Sequence, residues 1–81
     1  MNVISIHVAI NDVGELVGMA RHEYNLKWAV STPTFHMYVV RCSPELFADA
    51  LALYNRERNA EALKQLKLCA HSFTYAGQQV P

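Results

Sequence analysis

The chain has 81 residues, 52% of them hydrophobic and 17% charged, and its seven basic and seven acidic side chains cancel. That length supports one domain, residues 1–81, and the apolar content is too high for a disordered chain. No apolar run approaches the ~20 residues that cross a bilayer, no basic segment precedes a hydrophobic stretch near Met1, and neutrality without a basic tract argues against nucleic acid as main partner. A soluble, cytoplasmic protein with no membrane insertion is expected.

Val3 to Ile10 (VISIHVAI) alternates, with Ile4, Ile6, Val8 and Ile10 on one side and Val3, Ser5, His7 and Ala9 on the other. β-Branched residues at period two predict a strand. Asn11-Asp12 then supplies a helix N-cap, and Val13, Leu16, Val17, Ala20 and Tyr24 form one stripe of a short helix ending before Asn25. Gly14 and Gly18 each weaken that helix by roughly 1 kcal/mol relative to Ala, while letting it approach the sheet closely.

Leu26 to Ser31 and Phe35 to Cys42 read as two further strands around Thr32-Pro33-Thr34, a tight reversal that makes them adjacent and antiparallel. Ser43-Pro44-Glu45 opens a helix: Ser caps, Pro is preset for the first helical position, and Glu complements the dipole. Leu46, Phe47, Ala50, Leu51, Leu53 and Tyr54 cover its broad apolar side; Glu45, Ala48, Asp49, Ala52 and Asn55 lie opposite. Arg56 to Asn59 interrupts it, and Asn59 either caps a further turn or two through Leu66 or the helix runs on. Residues 66–75 alternate as a strand would, yet Leu63, Leu66 and Ala70 also align as a helix; a closing strand within Leu68–Tyr75 is favoured, since aromatic and β-branched residues gather there before Gly77. Residues 2–76 are expected to be ordered, with a loose tail over 77–81.

The expected order is strand, helix, strand, strand, helix, strand. That is the ferredoxin-like βαββαβ arrangement, an α+β fold whose four-stranded antiparallel sheet carries two helices on one face.

No catalytic motif appears. The three glycines form no phosphate loop, and there is neither Cys-x-x-Cys nor a nucleophile elbow. Cys42 and Cys69 read as free thiols of a reducing compartment. His7, His36 and His71 fall on expected strands, and with Cys42 and Cys69 they would make a zinc site if the register brought all five together. Their spacing matches no ligand pattern, so no metal and no cofactor is expected. The same parity would place His7, Lys27, His36, Tyr38, His71, Phe73 and Tyr75 on the uncovered sheet face, rich in rings that suit contact surfaces. Ala48 and Ala52, without Lys or Arg cover, mark a second candidate patch. The strand Phe35 to Val40 lacks the Lys/Arg-Gly-aromatic opening of RNA-binding sheets.

Asp12, Gly14-Glu15-Leu16 and Asn25-Leu26 resemble the first strand-to-helix turn and the second-strand entry of ACT domains. That resemblance implies an amino-acid or similar effector near Asp12 and Gly14, in a dimer. The Pro and the second Gly of that pattern are missing. Trp28-Ala29-Val30, a hairpin, and a capped helix with Asp49-Ala50-Leu51 resemble the layout of small RNA polymerase inhibitors of lytic phages, which act by occupying a host surface; many of those are acidic, and this chain is neutral. The leading expectation is a non-enzymatic protein-binding protein, a phage or mobile-element inhibitor or modulator of a larger host protein, able also to form a homodimer. The alternative is a small-molecule-sensing, ACT-like domain. A third is a small enzyme of the dimeric ferredoxin-like barrel type with His7 or His36 as base.

Overall fold

The computed structural model describes residues 2–80. Its elements are β1 (Ile4–Ile10), β2 (Leu16–Ala20), α1 (Glu23–Ala29), β3 (Phe35–Cys42), α2 (Pro44–Asn55), α3 (Asn59–Cys69) and β4 (Ser72–Gln79). The strands form one open sheet in the order β2-β1-β3-β4, every neighbouring pair antiparallel. The α+β class and the four-stranded antiparallel sheet are therefore as expected, and consistent with a ferredoxin-like arrangement. The helices number three rather than two, and the order along the chain is strand, strand, helix, strand, helix, helix, strand.

The first helix expected from the sequence is instead the far arm of a hairpin. Asn11 does accept backbone N–H groups, from Val13 at 3.1 Å and Glu15 at 2.9 Å, as an N-cap would. Gly14 decides the outcome. It sits at φ +85° and donates its N–H to the Asn11 carbonyl, while the Asn11 N–H bonds Glu15 across the turn. A three-residue loop ending on a left-handed Gly joins strands and cannot continue into a helix.

The strand expected over residues 26–31 is helix α1. Only Leu26 of its seven residues is buried, and Trp28, read as part of an alternating apolar set, projects into solvent at 89% exposure. The segments that carry the ACT-like turn and the phage-inhibitor layout are thus a β1–β2 turn and helix α1 rather than a strand-to-helix turn and a hairpin strand. At the other end, α3 continues through Cys69 and β4 runs on to Gln79. Gln78 and Gln79 pair with His36 and Phe35 rather than forming a tail; Pro81 lies outside the described residues.

Register fixes the two faces of the sheet. Ile4, Ile6, Val8 and Ile10 stand beside Cys42, Val40, Tyr38 and His36, and Phe73 and Tyr75 continue that face. With Leu16 and Met19 it packs against Ala50 of α2 and Ala62, Leu63 and Leu66 of α3. Ile6, Val8, Val40 and Leu66 are wholly buried, each worth about 1.5–3 kcal/mol relative to exposure. On the opposite face, Leu26 of α1 packs against Ala9, Val17, Phe35 and Met37. Two helices thus share one face, and the third lies on the other.

Local signals set the helix ends. The Ser43 hydroxyl accepts from the Leu46 N–H at 3.0 Å, with Pro44 at the first position. At the far end of α2 the Arg58 N–H donates to the Leu53 carbonyl and the Glu57 N–H to that of Tyr54. This is a Schellman closure, which places Glu57 at φ 63° in the left-handed position usually held by Gly. It stops α2, and α3 begins as a separate helix packed beside it.

The two sheet edges are unlike. β2 is partly covered: the Ser31 N–H donates to the Val17 carbonyl at 3.1 Å, and Asn59 Nδ2 to the Leu16 carbonyl at 3.1 Å. Gly18 makes this possible, because a Cβ there would lie 2.7 Å from Val30 Cγ1 and 3.0 Å from its Cα. The close approach expected at Gly18 is real, but what approaches is the segment after α1. β4, the other edge strand, pairs only with β3.

Candidate functional site

Four of the expected contact residues come together. His36, Tyr38, Phe73 and Tyr75 form a continuous row, with ring centroids 5.9 Å apart for His36 and Tyr75, 5.2 Å for Tyr38 and Tyr75, and 5.1 Å for Tyr38 and Phe73. Cross-strand pairing of Tyr38 with Tyr75 and Val40 with Phe73 produces this stack. The row lies on the face that bears α2 and α3, not on an uncovered face: Tyr38 and Phe73 pack partly into the core, and Tyr75 stays half exposed.

The remaining expected residues are elsewhere. His7 pairs with Val39 and so projects from the opposite face, because β1 aligns Ile10, not Ala9, with His36. It is half-buried, and its Nδ1 atom has no hydrogen-bond partner among the described residues. Lys27 is exposed on α1, His71 lies in the connection between α3 and β4, and Ala48 and Ala52 are exposed on the outer side of α2. Cys42 is buried on the helix-bearing face and Cys69 is exposed in the last turn of α3. The five residues considered for zinc are therefore dispersed, and no group of three or more His, Cys, Asp or Glu is placed to hold a metal among the described residues.

At one end of the row, Asp12 Oδ1 lies 2.8 Å from His36 Nε2, and the Tyr75 hydroxyl 3.2 Å from His36 Nδ1. A neutral His36 protonated on Nε2 satisfies both contacts, donating to Asp12 and accepting from Tyr75. The chain of three ties the β1–β2 turn to β4 across β3. Asp12 is 79% exposed, so this relay sits in water rather than in the dry setting that makes such groups strong acids or bases.

At the other end, Lys67 Nζ stands 6.0 Å from the centre of the Phe73 ring. Lys67 belongs to a stripe of α3 with Ala60, Leu63, Lys64 and Leu68, at helical spacing. That stripe and the Gly14–Leu16 segment line a cleft of about 480 Å³, and the Asn59 side chain also borders it. The walls are mainly aliphatic, with the two lysines on the helical side and Glu15 opposite. The Glu15 carboxylate is engaged by Asn11 Nδ2 at 3.1 Å, whereas no carboxylate pairs with Lys64 or Lys67 among the described residues. Leu68 is 73% exposed at the margin. The cleft thus offers apolar surface flanked by two lysines without a carboxylate partner among the described residues, suited to an apolar group carrying negative charge.

The cleft has no motif in the sequence. Its one available signal was the stripe Ala60, Leu63, Lys64, Lys67 and Leu68, wider than the arc that Ala62, Leu63 and Leu66 need for the core. Burial pushes the Cys42 thiol up from its ordinary range, opposed by the Arg21 guanidinium and a backbone hydrogen bond at Phe47, so this cysteine is held as the neutral thiol. No helix among the described residues is long and apolar enough to cross a membrane. No protein-family model, curated protein or solved structure matches the chain.

Proposed function

We propose that this is a non-enzymatic protein-binding protein whose contact surface is the α3 cleft together with the aromatic row that joins it through Lys67. The observation that carries this is the combination of an apolar cleft with two lysines on one wall that meet no carboxylate among the described residues. Its complement is a partner segment with an aliphatic or aromatic anchor beside acidic residues, the anchor filling the cleft while the charges meet Lys64 and Lys67. The solvated Asp12–His36–Tyr75 chain supports a binding role over a catalytic one. Such a protein acts by occupying a surface of a larger one.

The test compares capture from lysate by the wild-type protein and by the Lys64→Glu/Lys67→Glu double variant, with retained proteins identified by mass spectrometry. A protein held by the wild type and lost by an equally stable double variant supports the cleft; equal retention by both refutes it. A second function fits the same cleft, because its volume is within the range of small-ligand sites. Saturable binding of decanoate by native mass spectrometry, abolished by the same two substitutions, would favour a domain that senses a small amphipathic anion.

A further inference from the structure

We propose that β4 is a dimer interface, its outer edge pairing antiparallel with β4 of a second copy so that two four-stranded sheets become one of eight strands. The open edge is eight residues long, Ser72–Gln79, and contains neither a charged residue nor a proline. Edge strands exposed to solvent ordinarily carry such residues to prevent pairing with other chains. Apart from the ladder to β3, no backbone hydrogen bond from another segment reaches β4 among the described residues.

A second copy fits this edge better than an unrelated strand for two reasons. Around a two-fold axis the residues of β4 meet only other residues of β4, the middle ones their own counterparts and the ends each other, so a strand of like charges would repel itself; this one carries no charge in any register. The other reason is closure. On β2 the Val17 and Leu16 carbonyls are already taken by Ser31 and Asn59, so β4 is the freer edge on each copy, and two-fold pairing through it stops at two. The assembly is then a closed dimer rather than a growing fibre. Phe73 and Tyr75 on one face and Thr74 on the other flank the seam, adding side-chain contact to the backbone ladder. This interface does not depend on the cleft.

Sedimentation equilibrium of the wild-type protein over a wide concentration range tests it, alongside Thr74→Lys on the exposed side of β4 and Ala52→Lys on the outer side of α2. The expected result is a dimer for the wild type and for Ala52→Lys, and a monomer, half that mass, for Thr74→Lys with unchanged circular dichroism. A wild-type protein that stays monomeric throughout overturns the proposal, as does a dimer that Thr74→Lys leaves intact or that Ala52→Lys dissociates. Should Thr74→Lys fail to fold, hydrogen exchange on the wild type decides: alternate amides of β4 must slow as concentration rises. Exchange there that is independent of concentration overturns it equally.

Discussion

Adding one methyl group at Gly18 separates two opposed expectations. From strand propensity alone, Gly18→Ala should stabilise the protein by about 0.5–1 kcal/mol, because Gly loses more freedom on folding. The packing says otherwise. The new Cβ would sit 2.7 Å from Val30 Cγ1, 3.0 Å from Val30 Cα and 3.2 Å from Val30 N, against an optimum near ~3.5–4.0 Å. Rotation of the Val30 side chain relieves only the first of these. The other two are backbone contacts, so the segment after α1 must move outward, stretching the 3.1 Å bond from the Ser31 N–H to the Val17 carbonyl. Overpacking of this kind costs about 1–3 kcal/mol, and a weakened hydrogen bond adds about 1 kcal/mol. A net loss of about 2 kcal/mol follows, or roughly 8–16 °C in Tm for a domain of this size. Calorimetry or a urea titration reads it directly. In a Val30→Ala background the loss should shrink but persist, since Val30 Cα and N remain. A Gly18→Ala protein as stable as the wild type would refute the reasoning, and with it the account of how the segment after α1 covers β2.

Glu57→Gly should raise stability by about 0.5–1 kcal/mol, the ~1–2 kcal/mol left-handed strain of a non-Gly residue less the entropy of Gly in the unfolded chain; Glu57→Ala should give no gain in the same denaturant midpoint. Because burial raises the Cys42 thiol in the folded state, the unfolded chain ionises first. The stabilisation is therefore complete below the ordinary thiol range and is lost as pH rises through the Cys42 value, giving an alkaline decline in urea-measured stability that is shallower in Cys42→Ala. A thiol reagent at neutral pH should modify Cys69 in the native protein and reach Cys42 only on unfolding. Asp12→Ala should cost under about 1 kcal/mol, since the contact it removes is exposed, and a larger loss in thermal stability would show the clasp across the sheet to be structural.

What could be read from the sequence followed the strength of its local signals. β1, β3 and α2 announce themselves through β-branched alternation and the Ser-Pro-Glu cap, and the structure has them at those positions. The segment from Asn11 to Ser31 misled because its cues are shared between structures. An Asn side chain bonds the following amides in a hairpin turn much as it does at a helix start, so the Gly three residues on had to decide. Leu26, Trp28 and Val30 alternate as in a strand, yet only Leu26 has a large apolar pocket to fill. The aromatic row was legible as composition and strand parity, but its face was not, because that depends on whether Ile10 or Ala9 meets His36. The cleft depends on how α3 lies against a hairpin more than forty residues earlier, and no local pattern encodes that.

Strand order also bears on the chain during its synthesis. Seven residues of β1 and five of β2 can pair as soon as they emerge, and β3 then adds beside β1. Until residues 72–79 follow, the exposed rim of the growing sheet is β3, whose first six residues, Phe35 to Val40, carry no Lys, Arg, Asp or Glu. An uncharged segment of that length with two aromatic and two β-branched residues is the kind that nucleates intermolecular aggregates. β4 therefore acts as a cover for its neighbour, and chains cut short before Ser72 should precipitate where full-length chains do not. Nonsense truncation or proteolysis in the connection around His71 would release the most aggregation-prone form of this protein.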